Sequence, residues 1–354
     1  MAISMLPFFI ILHPLVDACS VTVLVVGGMP WQRVLAYNAL AFALQFPLGV
    51  ALDARPRWVK GVFVASLVLT LAGVGLEAML LGACGVRGAT ALPVAFGHAG
   101  RVTLPCVALV AACVGNALVH LSAGKAVLDE HEGRGGPIGL FISTGALGLF
   151  AGMKLAGGYG LWCCLGFGAA LAAVVAVWWL WRSCGRCGNR DGVRMVGLAL
   201  RASRNLDKTQ ISFENDCGAE RSPRPTVAWC VLVLAALFVL VAWRSWAGLL
   251  AGGMTNAAGL GFALAGAAVT WAGKAAGGYL GDRFGRWVVT TVSVVGSLSL
   301  CFLCRPEEAA LWLALLFVAQ LATGPVLSLM YDKSGRASGT AFGLNGLALF
   351  TGSL

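Results

Sequence analysis

The sequence predicts an all-α polytopic membrane protein built as two related helical bundles, six spans followed by five. Three observations carry that reading. Of 354 residues, 59% are hydrophobic and only 11% charged, whereas soluble domains carry roughly 25% charged residues. Apolar stretches of about 20 residues, each long enough to cross a hydrocarbon core of roughly 30 Å, recur along almost the whole chain. Finally, the loop between the second and third stretches is repeated between the eighth and ninth.

The apolar runs fall near 5–29, 34–52, 60–82, 103–124, 137–156, 158–181, 227–251, 258–280, 287–304, 309–330 and 338–354, to within about 2–4 residues at each end. Met1 to Met5 contains no basic n-region and no small-residue cleavage site follows, so the first run is expected to remain as a helix rather than be removed as a signal peptide. In the connection from Cys84 to Arg101, the stretch Ala89 to Phe96 is itself apolar and can lengthen a neighbouring helix. Between Arg182 and Thr226 the composition turns to Arg, Asn, Asp, Ser and Gly. This long polar segment reads as a solvated linker, including the weakly amphipathic patch Val193 to Leu200. It divides the chain into an N-terminal bundle (1–182), a central loop (183–226) and a C-terminal bundle (227–354).

A net charge of +10 would point to nucleic acid in a soluble protein, but the basic residues sit in short segments between apolar runs. With a cytoplasmic N-terminus, eighteen of the 25 Lys and Arg residues fall in inner loops and five in outer loops or helix ends, the bias expected of a multi-pass protein of the cell (inner) membrane. Most of the twelve cysteines lie in apolar runs, where they act as small hydrophobes. Cys184 and Cys187 form one CxxC without a second pair at zinc-site spacing, so neither a disulfide framework nor a metal site is expected. No nucleophile–base constellation, phosphate-binding loop or metal-ligand motif supports an enzyme or a cofactor.

The repeated loop reads Gly49-Val-Ala-Leu-Asp53-Ala-Arg55-Pro-Arg57-Trp58 in its first copy and Gly278-Tyr-Leu-Gly-Asp282-Arg283-Phe-Gly285-Arg286-Trp287 in its second. Gly145 to Gly152 also shares texture with Gly346 to Gly352. Two homologous halves explain both. An Asp held at the start of a helix in the opposite half can accept bonds from its free backbone N–H groups. By pseudo-symmetry Asp282 should lie near Gly135 to Pro137 and Asp53 near Gly335 to Ser338, forming a cytoplasmic latch, with neighbouring Arg residues tying down helix ends and acidic lipid heads.

The second copy resembles the loop signature of the major facilitator superfamily, Gly-x-Leu-x-Asp-Arg-x-Gly-Arg. The first copy keeps Gly49, Asp53, Arg57 and Trp58 but has Ala54 and Pro56 where Arg and Gly are usual. The resemblance implies two six-helix bundles moving a solute by alternating access. The C-terminal half holds five runs, so it reads as a bundle cut short. His13-Pro-Leu-Val-Asp17 and Trp243-Arg244-Ser245-Trp246-Ala247-Gly248 resemble the fosmidomycin-resistance branch.

Ionisable side chains at membrane depth cost roughly 2.5–3.5 kcal/mol each on insertion scales, which makes each a candidate site. His13 and Asp17 share one face of the first span. A carboxyl there, balanced between desolvation and a nearby cation, can load and release a proton near neutral pH. Asn116 and His120 repeat the spacing on the fourth span, and Tyr37, Asn38 and Gln45 give the second a polar side. The resemblance implies that spans one and four line the N-half cavity, which would bring Asn116 and His120 to Asp17. Arg244, in the seventh span, cannot give up its charge and needs an anion or an aqueous path. Lys154 and Lys274 are expected to snorkel to opposite surfaces, and Trp246 and Trp271 can reach a cavity. Pro137 stands at a helix start rather than within the fifth span, so the Gly-Pro signature of drug/proton antiporters is not met. The sequence therefore predicts a monomeric, proton-coupled exporter of a small organic solute, its partners being the solute, protons and membrane lipids. Uptake of a metabolite and a non-transporting membrane sensor or scaffold are the rival readings.

Overall fold

The computed structural model describes residues 4–84, 97–187 and 226–354. Among the described residues every regular element is helical and there is no strand. The chain runs through α1 (Leu6–Val26), α2 (Trp31–Asn38), a π-helical turn (Ala39–Ala43), α3 (Gln45–Ala54), a 3₁₀ turn (Pro56–Trp58), α4 (Val59–Cys84), α5 (Gly97–Glu130), α6 (Gly135–Ser143) and α7 (Gly145–Cys187). After the central segment come α8 (Val227–Ala257), α9 (Leu260–Phe284), α10 (Arg286–Leu303), α11 (Ala309–Gln320), α12 (Thr323–Lys333) and α13 (Ser338–Gly352). Among the described residues, eight stretches are long and apolar enough to cross a membrane. Large apolar side chains such as Val68, Met79, Val239 and Phe302 point outward, while His13, Asp17, Asn116 and Arg244 are buried. That inversion of the water-soluble pattern is what lipid as solvent requires.

Several sequence expectations shift in detail. The fifth run is divided between α6 and the start of α7, and α7 continues through the sixth run, its backbone leaving helical geometry at Tyr159 (φ −132°, ψ 35°). A Cβ added at Gly148, Gly152 or Gly160 would meet Pro14, Ala18 or Val26 in turn, whereas Trp178 stacks on Phe8. The chain thus climbs along α1 to Tyr159 and returns to its start, making two crossings from one 46-residue apolar stretch. The tenth run is broken after Gln320 because the ring of Pro325 excludes the carbonyl of Leu321 from a helical turn. α5 begins at Gly97, ahead of the expected start of the fourth run near 103. Ala89 to Phe96, Val193 to Leu200 and the side chains of Cys184 and Cys187 lie outside what is described.

Helix pairs recur in the two halves. α7 packs on α1 as α13 packs on α8, with Gly152 against the Ala18 carbonyl and Gly352 against that of Ala242. Across the halves α3 packs on α13, and α9 on α6. Both seams are close because glycine lines them: a Cβ at Gly49 would stand 2.1 Å from the Gly339 carbonyl oxygen, and one at Gly278 would stand 2.2 Å from that of Gly135.

Candidate functional site

The seams are clasped by the two repeated carboxylates. Asp282 Oδ1 and Oδ2 accept the Gly135 and Gly136 N–H groups at 2.8 and 2.7 Å. Asp53 accepts the Gly339 and Thr340 N–H groups at 2.9 and 2.6 Å, and the Thr340 hydroxyl at 2.8 Å. These are the first free donors of α6 and α13, where a helix end favours negative charge. Asp53 thus meets its partners just beyond the expected Gly335 to Ser338. Lys125, which sequence reasoning treated only as a loop charge, donates to Asp53 and to Ser338 at 2.8 Å each, closing a three-helix contact among α3, α5 and α13.

The arginines of the motif behave differently. Arg286 pairs with Asp332 at 2.5 Å, and Arg283 lies over the Phe284 ring at 5.4 Å. Arg57 is exposed and makes none of the clasp's bonds. Gly285 ends α9 at φ +100°, a conformation that favours glycine.

Away from the latch a cavity of about 560 Å³ lies between the halves, within the usual range for small-molecule sites. His13, Asp17, Asn38, Gln45, His120 and Arg244 all line it. Its wall continues to Met29, Gly253 and Asn256, at the helix ends opposite the latch, so the cavity reaches one end of the molecule and the latch closes the other. Trp246 and Trp271 point outward and line no part of it.

On the N-half wall the side chains form one cluster around Asp17. Asp17 Oδ1 lies 2.8 Å from His120 Nε2 and accepts the Asn116 amide at 3.2 Å. Asp17 Oδ2 lies 3.3 Å from His13 Nε2, and the two His Nε2 atoms are 3.1 Å apart. A carbonyl can only accept, so the 2.8 Å contact between His13 Nδ1 and the Phe141 carbonyl fixes the proton on Nδ1. In neutral His13, Nε2 then presents a lone pair. The His120 Nε2–H can serve Asp17, and one further proton has a place between His13 Nε2 and Asp17 Oδ2. Gly145 makes room for the cluster: a Cβ there would stand 2.3 Å from Asp17 Oδ2. The ligand atoms of His13, Asp17 and His120 lie within 4.8 Å of one another, so the cluster can also hold a metal ion, with the Phe141 carbonyl orienting one imidazole as such sites require.

On the C-half wall Arg244 is 5% exposed. Its Nη1 donates to Gln320 Oε1 at 3.2 Å and to Thr323 Oγ1 at 2.5 Å. Sequence reasoning missed Gln320 and Thr323, which flank the break between α11 and α12 and are joined across it by the Thr323 hydroxyl, which donates to the Gln320 carbonyl at 2.8 Å. It also placed Lys274 at a surface. Lys274 lines the cavity, and its carbonyl lies 2.7 Å from where a Gly139 Cβ would be, half a turn of α6 from the Phe141 carbonyl that holds His13. The missed signal lay in the repeat. Gln45, Gly49 and Asp53 on α3 match Lys274, Gly278 and Asp282 on α9 residue for residue: one cavity residue, one seam glycine and one clasping carboxylate at successive turns. Lys154 is exposed at the cavity's far rim, as the snorkelling reading expects. Glu77, 3% exposed in α4, was not anticipated and does not line the cavity.

No protein-family profile matches the chain, and no curated protein matches it in sequence. Among solved structures it is similar to a crystal structure of a bacterial homologue of the iron transporter ferroportin in the outward-facing state, with 15% identity, a TM-score of 0.49, and coverage of 99% of this chain and 90% of that one.

Proposed function

We propose that the chain is a secondary transporter of the major facilitator type, of the fosmidomycin-resistance branch, that moves a small organic solute by alternating access with Asp17 as its proton-loading group. The observation that carries this is a cavity between repeated halves, latched at one end and reaching the other, with the Asp17 cluster in its wall. Rocking about the glycine seams would break the clasps and open the latched end. The bias of basic loops supports a cytoplasmic latch end, so the cavity faces outward in this conformation. The domain limits 1–182, 183–226 and 227–354 follow from the same reading, as does a monomer in the cell membrane.

An unprotonated Asp17 cluster carries one negative charge, and loading the vacant place between His13 and Asp17 neutralises it. Proton exchange at the open end, followed by rocking, would drive solute export. Proteoliposomes with trapped pyranine test this: one member of a panel of small organic acids, bases and neutral compounds should move protons with it in the native chain and fail to in Asp17→Asn. Proton movement that survives that substitution refutes Asp17 as the coupling group. Counterflow in oriented vesicles separates export from uptake.

The spacing of ligand atoms in the same cluster supports a second reading, in which a divalent transition-metal ion is the cargo. Visible absorption of added Co²⁺, present in the native chain and lost in Asp17→Asn, would favour it over the proton.

A further inference from the structure

We infer that Arg244 and Lys274 form an anion subsite on the C-half wall, so that the solute is a small organic anion with an apolar body. This rests on the transport reading and names the class of its solute. Arg244 offers five donors. Two neutral acceptors, Gln320 and Thr323, hold Nη1, whereas the buried Nε has no hydrogen-bond partner. Among the described residues no carboxylate lies within ion-pair distance of either Arg244 or Lys274. A buried charge lacking a counter-charge is expensive. The arrangement therefore resembles a site whose missing member arrives with the ligand.

Charge around the cavity points the same way. Its lining contains Lys154, Arg244 and Lys274 but a single carboxylate, Asp17. That carboxylate is already engaged by His13, His120 and Asn116, so it does not neutralise the opposite wall. The Arg244 fork suits the paired oxygens of a carboxylate, phosphate or phosphonate, and Lys274 supplies a second positive charge to the same cavity. Leu249, Leu316, Phe342 and Leu349 line the same cavity. They favour an organic body over an inorganic ion, and the 560 Å³ volume accommodates one.

Thermal unfolding of the purified full chain tests the assignment with four matched aromatic probes. Phenylphosphonate and benzoate should raise Tm with concentration, whereas benzyl alcohol and benzylamine should not. Arg244→Gln should weaken apparent anion affinity at least tenfold, and Arg244→Lys should recover part of it. Lys274→Gln gives an independent readout if Arg244→Gln does not fold, and should weaken anion affinity severalfold. Competition by phosphatidylglycerol but not phosphatidylcholine would trace the acid group to a lipid head; its absence would leave a soluble anion, and the subsite stands in both cases. Equal stabilisation by all four probes, no stabilisation by either anion, or full anion affinity in Lys274→Gln overturns the inference. Asp17→Asn should keep the anion preference. Loss of the subsite with intact Asp17-dependent proton movement thus condemns the subsite alone, and the converse result condemns the coupling proposal alone.

Discussion

Replacing Gly278 with Ala isolates the seam between α6 and α9. The added Cβ would lie 2.2 Å from the Gly135 carbonyl oxygen and 2.8 Å from its carbon, both backbone atoms that cannot swing aside. Relief to ordinary contact requires the helices to part by about 1 Å, which stretches the Asp282 bonds from 2.8 and 2.7 Å past useful length. Overpacking of this kind costs roughly 1–3 kcal/mol, and each charge-assisted bond is worth about 1.5–3 kcal/mol before water replaces it. Because Asp282 is exposed, water recovers much of the second term. A net penalty of about 2–4 kcal/mol falls on the latched state alone, shifting its population against the unlatched state by roughly 30-fold to 1,000-fold at 1.4 kcal/mol per decade. Spin labels at Arg134 and Arg283, both exposed, on a background without native cysteines would read the shift by pulsed electron resonance. The short distance should dominate in the native chain and give way to a longer one in Gly278→Ala. An unchanged distribution in a folded variant would refute the argument that glycine at this position exists to let the seam close.

Gly145→Ala should displace the Asp17 carboxylate by steric conflict at 2.3 Å, lower Tm and abolish proton-linked transport in pyranine-loaded proteoliposomes. Gly157→Ala, which meets nothing within 4 Å, should leave transport unchanged and shift stability by less than about 1 kcal/mol. Lys125→Met should speed hydrogen exchange at the Gly339 and Thr340 amides severalfold, since it removes one cation from Asp53 while leaving the backbone bonds in place; unchanged protection would show that Lys125 does not support the clasp. Asp53→Asn should weaken both amide bonds and populate the unlatched state, read as new reactivity of a single cysteine at Ser338 toward a maleimide.

The parts of the molecule legible in the sequence were those governed by short-range periodicity or by duplication. His13 and Asp17, and likewise Asn116 and His120, share helical faces by spacing alone, and the structure joins all four. The repeated Gly and Asp spacing located both clasps to within a few residues, because the free amides at the start of a facing helix attract a carboxylate at that point of a span. What escaped depended on contacts between distant segments. Lys125 looked like a loop charge until α13 brought Ser338 beside it, and Arg244's neutral partners lie on a helix broken by Pro325. Lys274 was misplaced because distance to the nearest helix end was judged without asking what occupies the matching position, Gln45, in the other half. The reversal at Tyr159 falls among Gly157, Gly158 and Gly160, where the sequence already divides the fifth run from the sixth, whereas the π-helical turn Ala39–Ala43 has no glycine or proline within it to announce it.

Lys274 and Asp282 sit eight residues apart on the unbroken α9, a separation of about 12 Å along the axis. No hinge lies between the amine in the cavity and the carboxylate at the seam, so a tug on one end of this rod reaches the other undiminished. Occupancy would be reported to the closure by a single stiff lever rather than relayed through loops, and a kink introduced between them, as by Ala276→Pro, would sever loading from gating while leaving each intact by itself.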